Sequence, residues 1–576
     1  MRAAIAALSF VFHVAEAARL CSLSNAYKPG LNDTCSIGGS VVVVNAARGD
    51  VEAGVVLIDN SGGGVAGSVS LNISWDAGAA PPGVTVTPFL VTYVHTEKSP
   101  RYDASATGWF ADALLSWPAG GAPLDTQLTA WINFQTLGTA APGAYTGTIT
   151  TFAAPAALPF TLNIFDVTIP ALGDSPFSTV YAFADSALPT VYNSAVVNLT
   201  ATRLRYLDAL AALRFPSINI YAQAPLPIDE YVYLAAQGVN ILILADISGL
   251  PFADGGVSPL ASSQRGSLRF SPDGALRARA DCPTYTQDYI DKMVAFLKPT
   301  WDNLTALGLQ NRAFVYGFDE IDVSCEPAVR QLFGAAKAAF PGLRTLSAID
   351  WPSLPLDLPL DTWVLQYQLV DRAVTDPWVK AGHELYTYHC IEPHGAAFLN
   401  TFNEISLIQA RLLFWYDFLL NVTGHLYYDV ALWESWKSVP PFWASYTTAS
   451  GVSFHTGLAP LNQRVEDARL TDWDPANWIW APRTDIWANG DGVFIYPGAP
   501  VGGVGVPIST IRFESQRDGV EDWHVMRAAA AANSDEVDAI VKSQVSAPTV
   551  WSANTTLLEE NRVRLLKLAA SGSRGK

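Results

Sequence analysis

Charge is scarce in this chain, and basic charge scarcer still. Asp, Glu, Lys and Arg make up 15% of the 576 residues, and 35 Lys/Arg stand against 53 Asp/Glu, a net charge of −18. A phosphate backbone requires a Lys/Arg footprint, so a nucleic-acid partner is excluded. Half the residues are hydrophobic, which excludes disorder as the dominant state. Beyond the N-terminus no apolar run is long and charge-free enough to span a bilayer. The polar C-terminal Ala-Ser-Gly-Ser-Arg-Gly-Lys gives no lipid-anchor signal. A serine nucleophile elbow, a phosphate loop and a dinucleotide fingerprint are also missing. Gly62-Gly-Gly64 and Gly502-Gly-Val-Gly505 are glycine-rich, but neither opens a βαβ unit.

Cysteine is sparse and odd in number, at five. Cys21 and Cys35 flank a short loop and are expected to pair, Cys282 and Cys325 can bridge two loops, and Cys390 is left as a small buried hydrophobe. Oxidation fits the N-terminus, which reads as a signal peptide over residues 1–17: Arg2, an apolar stretch from Ala3 to Val14, and Ala15-Glu16-Ala17 as a small-x-small cleavage site. Six Asn-x-Ser/Thr sequons follow, at Asn32, Asn72, Asn198, Asn303, Asn421 and Asn554. The expectation is a protein that is secreted or held in the secretory lumen and N-glycosylated.

The chain is long enough for two or more domains. Residues 18–175 hold short β-rich runs bounded by Gly, Pro and Asp, with no helical period, which predicts an antiparallel β-sandwich. From residue 176 to 545 short apolar strands alternate with helical stretches, which predicts a (β/α)8 TIM-type barrel. Nine candidate strands compete for eight places: Thr179–Phe183, Ser217–Tyr221, Val239–Ala245, Ala313–Phe318, Thr345–Ile349, Trp363–Tyr367, Glu384–Tyr388, His425–Val430 and Val493–Tyr496. Residues 546–576 read as a tail. The fold class is thus multidomain α/β.

The sharpest local signal is Arg312-Ala-Phe-Val-Tyr-Gly-Phe-Asp-Glu320, an apolar strand that ends in two neighbouring acids, with Asp322 close behind. In a barrel the reactive groups lie at the C-terminal strand ends. Glycoside cleavage needs a proton donor and a group that stabilises the developing positive charge. Adjacent acids are poorly placed to straddle a sugar ring. They suit substrate-assisted hydrolysis, in which the substrate's 2-acetamido oxygen attacks the anomeric carbon. Glu320 would then serve as acid and base, and Asp319 would accept the acetamido N–H. Like-charge proximity should raise one pKa of the pair. The plainer alternative is a helix-capping Asp319 beside an exposed Glu320.

Several stretches resemble glycoside hydrolase family 123, whose described members are exo-acting β-N-acetylgalactosaminidases. They include Ala46-Ala-Arg-Gly-Asp-Val-Glu-Ala-Gly54, Tyr316-Gly-Phe-Asp-Glu320, Gly424-His-Leu-Tyr-Tyr-Asp-Val-Ala-Leu-Trp433, Asp491-Gly-Val-Phe-Ile-Tyr-Pro-Gly498 and Ile511-Arg-Phe-Glu-Ser-Gln-Arg-Asp-Gly-Val-Glu-Asp-Trp523. The resemblance implies a β-sandwich followed by a (β/α)8 barrel and puts the family's acid pair on Asp319 and Glu320. Tyr386 and Tyr428 stand where the family pattern leads one to expect Trp.

Aromatics gather near the predicted strand ends, and Tyr367, Tyr388, Tyr428 and Trp433 are the substrate-binding candidates, with Tyr427 and Trp436 beside them. Sugar C–H faces stack on such rings, although core packing is the commoner fate of any one aromatic. Trp473, Trp478, Trp480 and Trp487 could wall the site. His383, His389 and His394 match no familiar metal spacing, so no metal or cofactor is expected. Asp518 reads as a helix cap in Arg517-Asp-Gly-Val-Glu-Asp522, with a catalytic role open but unneeded. Asp350 is the spare carboxylate; facing Glu320, it would give ordinary two-carboxylate retaining chemistry. The expected partner is a glycan or glycoconjugate. A non-catalytic glycan-binding or wall glycoprotein on the same scaffold is the alternative.

Overall fold

A computed structural model describes residues 17–573 apart from 66, 97–107, 125, 193, 195–196, 251–268, 271–275, 278–284, 321–324, 350–356, 394, 396, 434–445, 448–452, 455–478, 481–488 and 499–504. The signal-peptide residues 1–16 lie outside that description.

The N-terminal strands are β1 (Arg19–Leu23), β2 (Val42–Arg48), β3 (Val51–Asp59), β4 (Asn72–Trp75), β5 (Val84–Thr96), β6 (Gly108–Ser116), β7 (Gln127–Thr136), β8 (Gly143–Thr151) and β9 (Ala154–Thr168). They form two sheets, β1-β3-β7-β5-β6 and β2-β9-β8-β4. Every ladder among them is antiparallel except β2 with β9. In β9 the residues Leu158, Phe160, Leu162 and Ile164 are buried at every second position, the mark of a sheet with one face in the core. They meet Val56, Ile132 and Phe134 of the other sheet in one apolar cluster. Cys21 and Cys35 are joined by a disulfide. Cys325 is disulfide-bonded as well, Cys390 is free, and Cys282 lies outside the described residues.

The second region contains seven parallel strands, β10 (Ser178–Tyr181), β11 (Leu242–Asp246), β12 (Ala313–Tyr316), β13 (Arg344–Ile349), β14 (Thr362–Gln366), β15 (Glu384–Tyr388) and β16 (Gly424–Tyr427), in the order β10-β16-β15-β14-β13-β12-β11. They are buried on both faces almost throughout, as parallel strands under helices must be. The helices are α1 (Leu199–Ala212), α2 (Ile228–Ala236), α3 (Gln287–Ala306), α4 (Glu326–Ala339), α5 (Arg372–Lys380), α6 (Ile408–Leu419), α7 (Ile511–Gln544) and α8 (Thr555–Ser573). The sheet curls: the Tyr388 hydroxyl at the end of β15 reaches Glu320 beyond β12 at 3.0 Å, although β14 and β13 lie between those strands.

Two strand expectations are corrected. Residues 217–221 form no ladder. Their segment touches both edges of the sheet, through Ser217 Oγ on the Tyr181 carbonyl and Asp246 N on the Ala222 carbonyl. Pro216 lacks an N–H to donate there. Among the described residues the expected eight-stranded barrel is therefore observed as seven paired strands in a curled sheet. The surplus candidate is Val493–Tyr496, which supplies β17 (Ile495–Pro497), an antiparallel hairpin with β18 (Pro507–Ser509). Residues 546–576, read as a tail, hold a short β-turn pair and then α8, which packs on α7.

The first sheet is covered on its outer face by the second region. Val55, Ala111, Leu114 and Trp131 share a cluster with Leu407 and Ile511. Beside it runs a buried seam of charge along α7. Arg411 Nε donates to Asp522 Oδ2 at 2.6 Å and its Nη1 to Glu52 Oε1 at 3.0 Å. Arg562 of α8 reaches Asp522 and Asp50, both at 2.7 Å. Arg214 pairs with Glu521, and Arg517 with Glu514 and Asp518. Four guanidiniums thus face six carboxylates (Asp50, Glu52, Glu514, Asp518, Glu521 and Asp522). That imbalance cannot persist out of water unless protons are held. Accordingly, burial and Glu52 push Asp518 up to about 7, and burial and Asp50 raise Glu521. Asp518 is therefore no cap. Thr510 caps α7, its Oγ1 accepting from Phe513 N at 3.2 Å.

Removing one cation from the seam strands several acids, so Arg562→Met should cost about 3–5 kcal/mol in denaturant unfolding; a loss under about 1 kcal/mol would contradict the seam's role. Asp518 has a raised folded pKa, so its contribution is full below the unfolded value and fades as pH rises through about 7. Asp518→Asn should therefore lose less stability than the wild type between about pH 5 and pH 8, measured as the unfolding midpoint at each pH.

Candidate active site

The strand β12 runs into Gly317 and then turns sharply. Phe318 and Glu320 both adopt left-handed backbone, with φ of 61° and 50°. For residues with side chains this conformation costs of order 1–3 kcal/mol and persists only where the surroundings impose it. Here Phe318 is buried against Phe333, edge to face at 5.4 Å, and its carbonyl accepts from Ser347 Oγ at 2.6 Å. The turn leaves Asp319 and Glu320 half-exposed at the C-terminal end of the sheet. Tyr316 donates to Asp319 Oδ1 at 2.5 Å, and Tyr388 donates to Glu320 Oε1 at 3.0 Å. Tyr221 lies close enough that, after burial, the charges of Asp319 and Glu320 raise its phenol well above the ordinary range.

On the far side of the mouth stands Asp491, 7% exposed. Tyr427 and Tyr428 donate to its two oxygens at 3.0 and 2.9 Å. Consecutive strand residues ordinarily face opposite ways. Here the ladder slips: Ala182 N bonds the Tyr427 carbonyl, whereas Val430 N bonds the Ala182 carbonyl. That extra residue lets both phenols converge. Burial pushes Asp491 up to about 6 against the pull of the two phenols and Arg512. Cys390 lies between the two sides, its thiol raised by burial and then by Glu320 and Asp491. Glu392, held at about 7 by burial, sits beside Gln366.

Of the sequence candidates, Asp319, Glu320, Tyr388 and Tyr428 come together at this mouth. Tyr367 does not: it is fully buried and its hydroxyl donates to the Leu399 carbonyl at 2.6 Å. Trp433 is also fully buried, its indole N–H on the Ile495 carbonyl at 2.8 Å. As placed, neither offers a group to a sugar. Asp322, Asp350, His394, Trp436, Trp473, Trp478 and Trp487 lie outside the described residues, as does the Trp480 side chain. His389 belongs to a buried chain, Asp417–His425–His389–Thr401, with contacts of 2.8, 2.8 and 3.0 Å. His383 bonds the Leu360 carbonyl. Among the described residues no three His, Cys, Asp or Glu side chains gather as a metal site, and no helix is long and apolar enough to cross a membrane. A crevice lined by Phe177, Thr179, Ile218 and Val239 lies at the opposite end of the sheet, beside the missing ladder.

Asp491 was missed as a site residue. The available signal is its glycine bracket, Gly490-Asp491-Gly492, at the head of the family-like stretch Asp491–Gly498.

Residues 282–529, which include β12 through β16, match the family described as Glycoside hydrolase 123, catalytic domain. Over that stretch the chain is similar to glycoside hydrolase 123 catalytic domains. Among solved structures it resembles a family 123 glycoside hydrolase from Clostridium perfringens described for glycolipid glycan hydrolysis, at 14% identity and a TM-score of 0.65, covering 97% of this chain and 99% of that one. A putative alpha-galactosidase from Bacteroides fragilis is far less similar, at 8% identity and a TM-score of 0.23 over 69% and 74% of the two chains. No curated protein matches by sequence.

Proposed function

We propose that this chain removes terminal β-linked 2-acetamido sugars, N-acetylgalactosamine first among them, with retention and with the substrate's own amide as nucleophile. The carrying observation is the strained turn that sets Asp319 and Glu320 side by side at the strand end, each already held by a phenol. Glu320 protonates the glycosidic oxygen as the acetamido carbonyl oxygen attacks C1 and the aglycone leaves. Asp319 accepts the acetamido N–H and offsets the positive charge of the oxazolinium ring. Glu320 then takes a proton from water as that water attacks C1, and the ring opens to the product. Neither acid has to reach the opposite face of the sugar, which adjacent residues could not do.

The six sequon asparagines are all exposed, which supports a glycosylated, secretory-pathway protein. A glycolipid glycan, the substrate class named for the Clostridium relative, belongs in the substrate panel beside simple glycosides.

The test is turnover of p-nitrophenyl 2-acetamido-2-deoxy-β-galactoside. Glu320→Gln should lower kcat about 10²–10⁴-fold, the usual worth of a general acid–base group. Asp319→Asn should lower it by a similar order, because an amide cannot offset the developing charge. Equal turnover by wild type and Glu320→Gln would remove Glu320 from this role, and no turnover of any 2-acetamido sugar by the wild type would end the proposal.

A further inference from the structure

Asp491 is presented with unusual care for a residue that the reaction at Glu320 does not require. It is bracketed by Gly490 and Gly492, both in left-handed backbone, at φ of 87° and 74°. A side chain at Gly492 would come 2.7 Å from the Tyr428 hydroxyl, and one at Gly490 would come 2.4 Å from Asn403 Oδ1. The flanking carbonyls are clamped by one buried guanidinium: Arg512 Nη1 donates to Gly490 O at 3.1 Å and Nη2 to Val493 O at 2.7 Å. That arginine does not neutralise Asp491, because its Nε and Nη2 pair with Asp112 at 2.7 and 2.9 Å. Asp491 is thus a nearly buried carboxylate with two neutral phenol donors and, among the described residues, no cation of its own. A carboxylate offers about four acceptor sites; the phenols occupy two of them, and the Gly492 N–H is directed at the same carboxylate.

Its position gives those remaining sites a use. In the order β10-β16-β15-β14-β13-β12-β11, three strands separate β12, which carries Asp319 and Glu320, from β16, which leads into Tyr427 and Tyr428. In a sheet curled tightly enough for Tyr388 to bridge to Glu320, these strands face one another across the mouth. In a pyranose, C1 and C4 lie at opposite ends of the ring. With C1 at Glu320 and C2 at Asp319, the edge carrying the C3, C4 and C6 hydroxyls points away from β12, toward β16.

We infer that Asp491 is the specificity-determining residue of this site, accepting hydrogen bonds from hydroxyls on the C3–C4–C6 edge of the sugar and so discriminating C4 epimers. This rests on the proposed 2-acetamido sugar reading and extends it to the far end of the ring. The two tyrosines fix the carboxylate, and the Arg512 clamp fixes the loop that bears it. A hydroxyl pointing the wrong way at C4 leaves a nearly buried acceptor unmet, the kind of mismatch that costs most in discrimination.

The experiment measures kcat and KM for p-nitrophenyl 2-acetamido-2-deoxy-β-galactoside and its glucoside epimer in wild type, Asp491→Asn and Tyr428→Phe. Asp491→Asn keeps the shape of the side chain but replaces one acceptor oxygen with a donor. It should reduce kcat/KM for the preferred epimer about 10²-fold and shrink the epimer ratio at least about tenfold. Tyr428→Phe should move both quantities in the same direction by less, and it stands in for Asp491→Asn if that variant fails to fold. A purely structural Asp491 would lower both epimers equally, so an unchanged epimer ratio in the variant that folds overturns the inference. Binding of free 2-acetamido galactose and glucose, followed by calorimetry, separates the two readings. Loss of epimer preference in Asp491→Asn without turnover by the wild type would uphold Asp491 while sinking the catalytic proposal.

Discussion

The arrangement of the mouth depends on the pairing of Arg512 with Asp112. Asp112 lies in β6 of the N-terminal sandwich and Arg512 in the first turn of α7, and both are almost wholly buried. Once its charge is met in that way, the guanidinium has N–H groups left for the carbonyls of Thr401, Gly490 and Val493. A buried arginine left unpaired would be prohibitive, and an arginine paired with Asp491 would cancel the charge that faces the mouth. The sandwich is therefore an integral support for the rim of the sheet rather than an appended module.

The same economy governs the rest of the interface. The first nineteen residues of α7 are polar and charged in many places yet mostly buried, because cations reach their acids from three directions: Arg411 from α6, Arg562 from α8 and Arg214 from just beyond α1. Such a seam confers less stability than its many contacts suggest, since desolvation offsets much of the attraction. What it does impose is geometry. Each acid is satisfied only when all the elements dock in one register, which sets Arg512 and hence the Asp491 loop.

Much of this was legible in the chain. The apolar run of β12 ending in Asp319-Glu320 could be read from local pattern, because an apolar strand that ends in acids carries a strong composition signal, whereas β9 could not, because Pro155 and Pro159 read as punctuation on the way out of the sandwich. The loop flanked by Cys21 and Cys35 could be read from spacing. The illegible parts were decided by tertiary contacts. Gly519 looks like a break that would make Asp518 a cap, yet it lies inside α7 and is glycine because a Cβ there would come 2.6 Å from the Phe414 ring and 2.7 Å from the Arg411 carbonyl, a close helix–helix crossing. Tyr367 and Trp433 sit near strand ends as a pocket aromatic would, and nothing local reveals that their polar atoms turn to the backbone instead. Thr555–Ser573 looked like a tail because Leu558, Arg562, Leu565 and Leu566 form a buried stripe only once α7 is there to receive them.

The central claim is that the two acids work side by side because the substrate carries its own nucleophile. The most direct measurement is kcat/KM across a series of β-galactosides whose 2-acetamido group bears none, one, two and three fluorine atoms. Each fluorine withdraws electrons from the amide oxygen without changing the ring. The account predicts a steep, graded fall in kcat/KM along the series. A flat series would show that the amide oxygen does not attack C1, and that the nucleophile lies elsewhere in the protein.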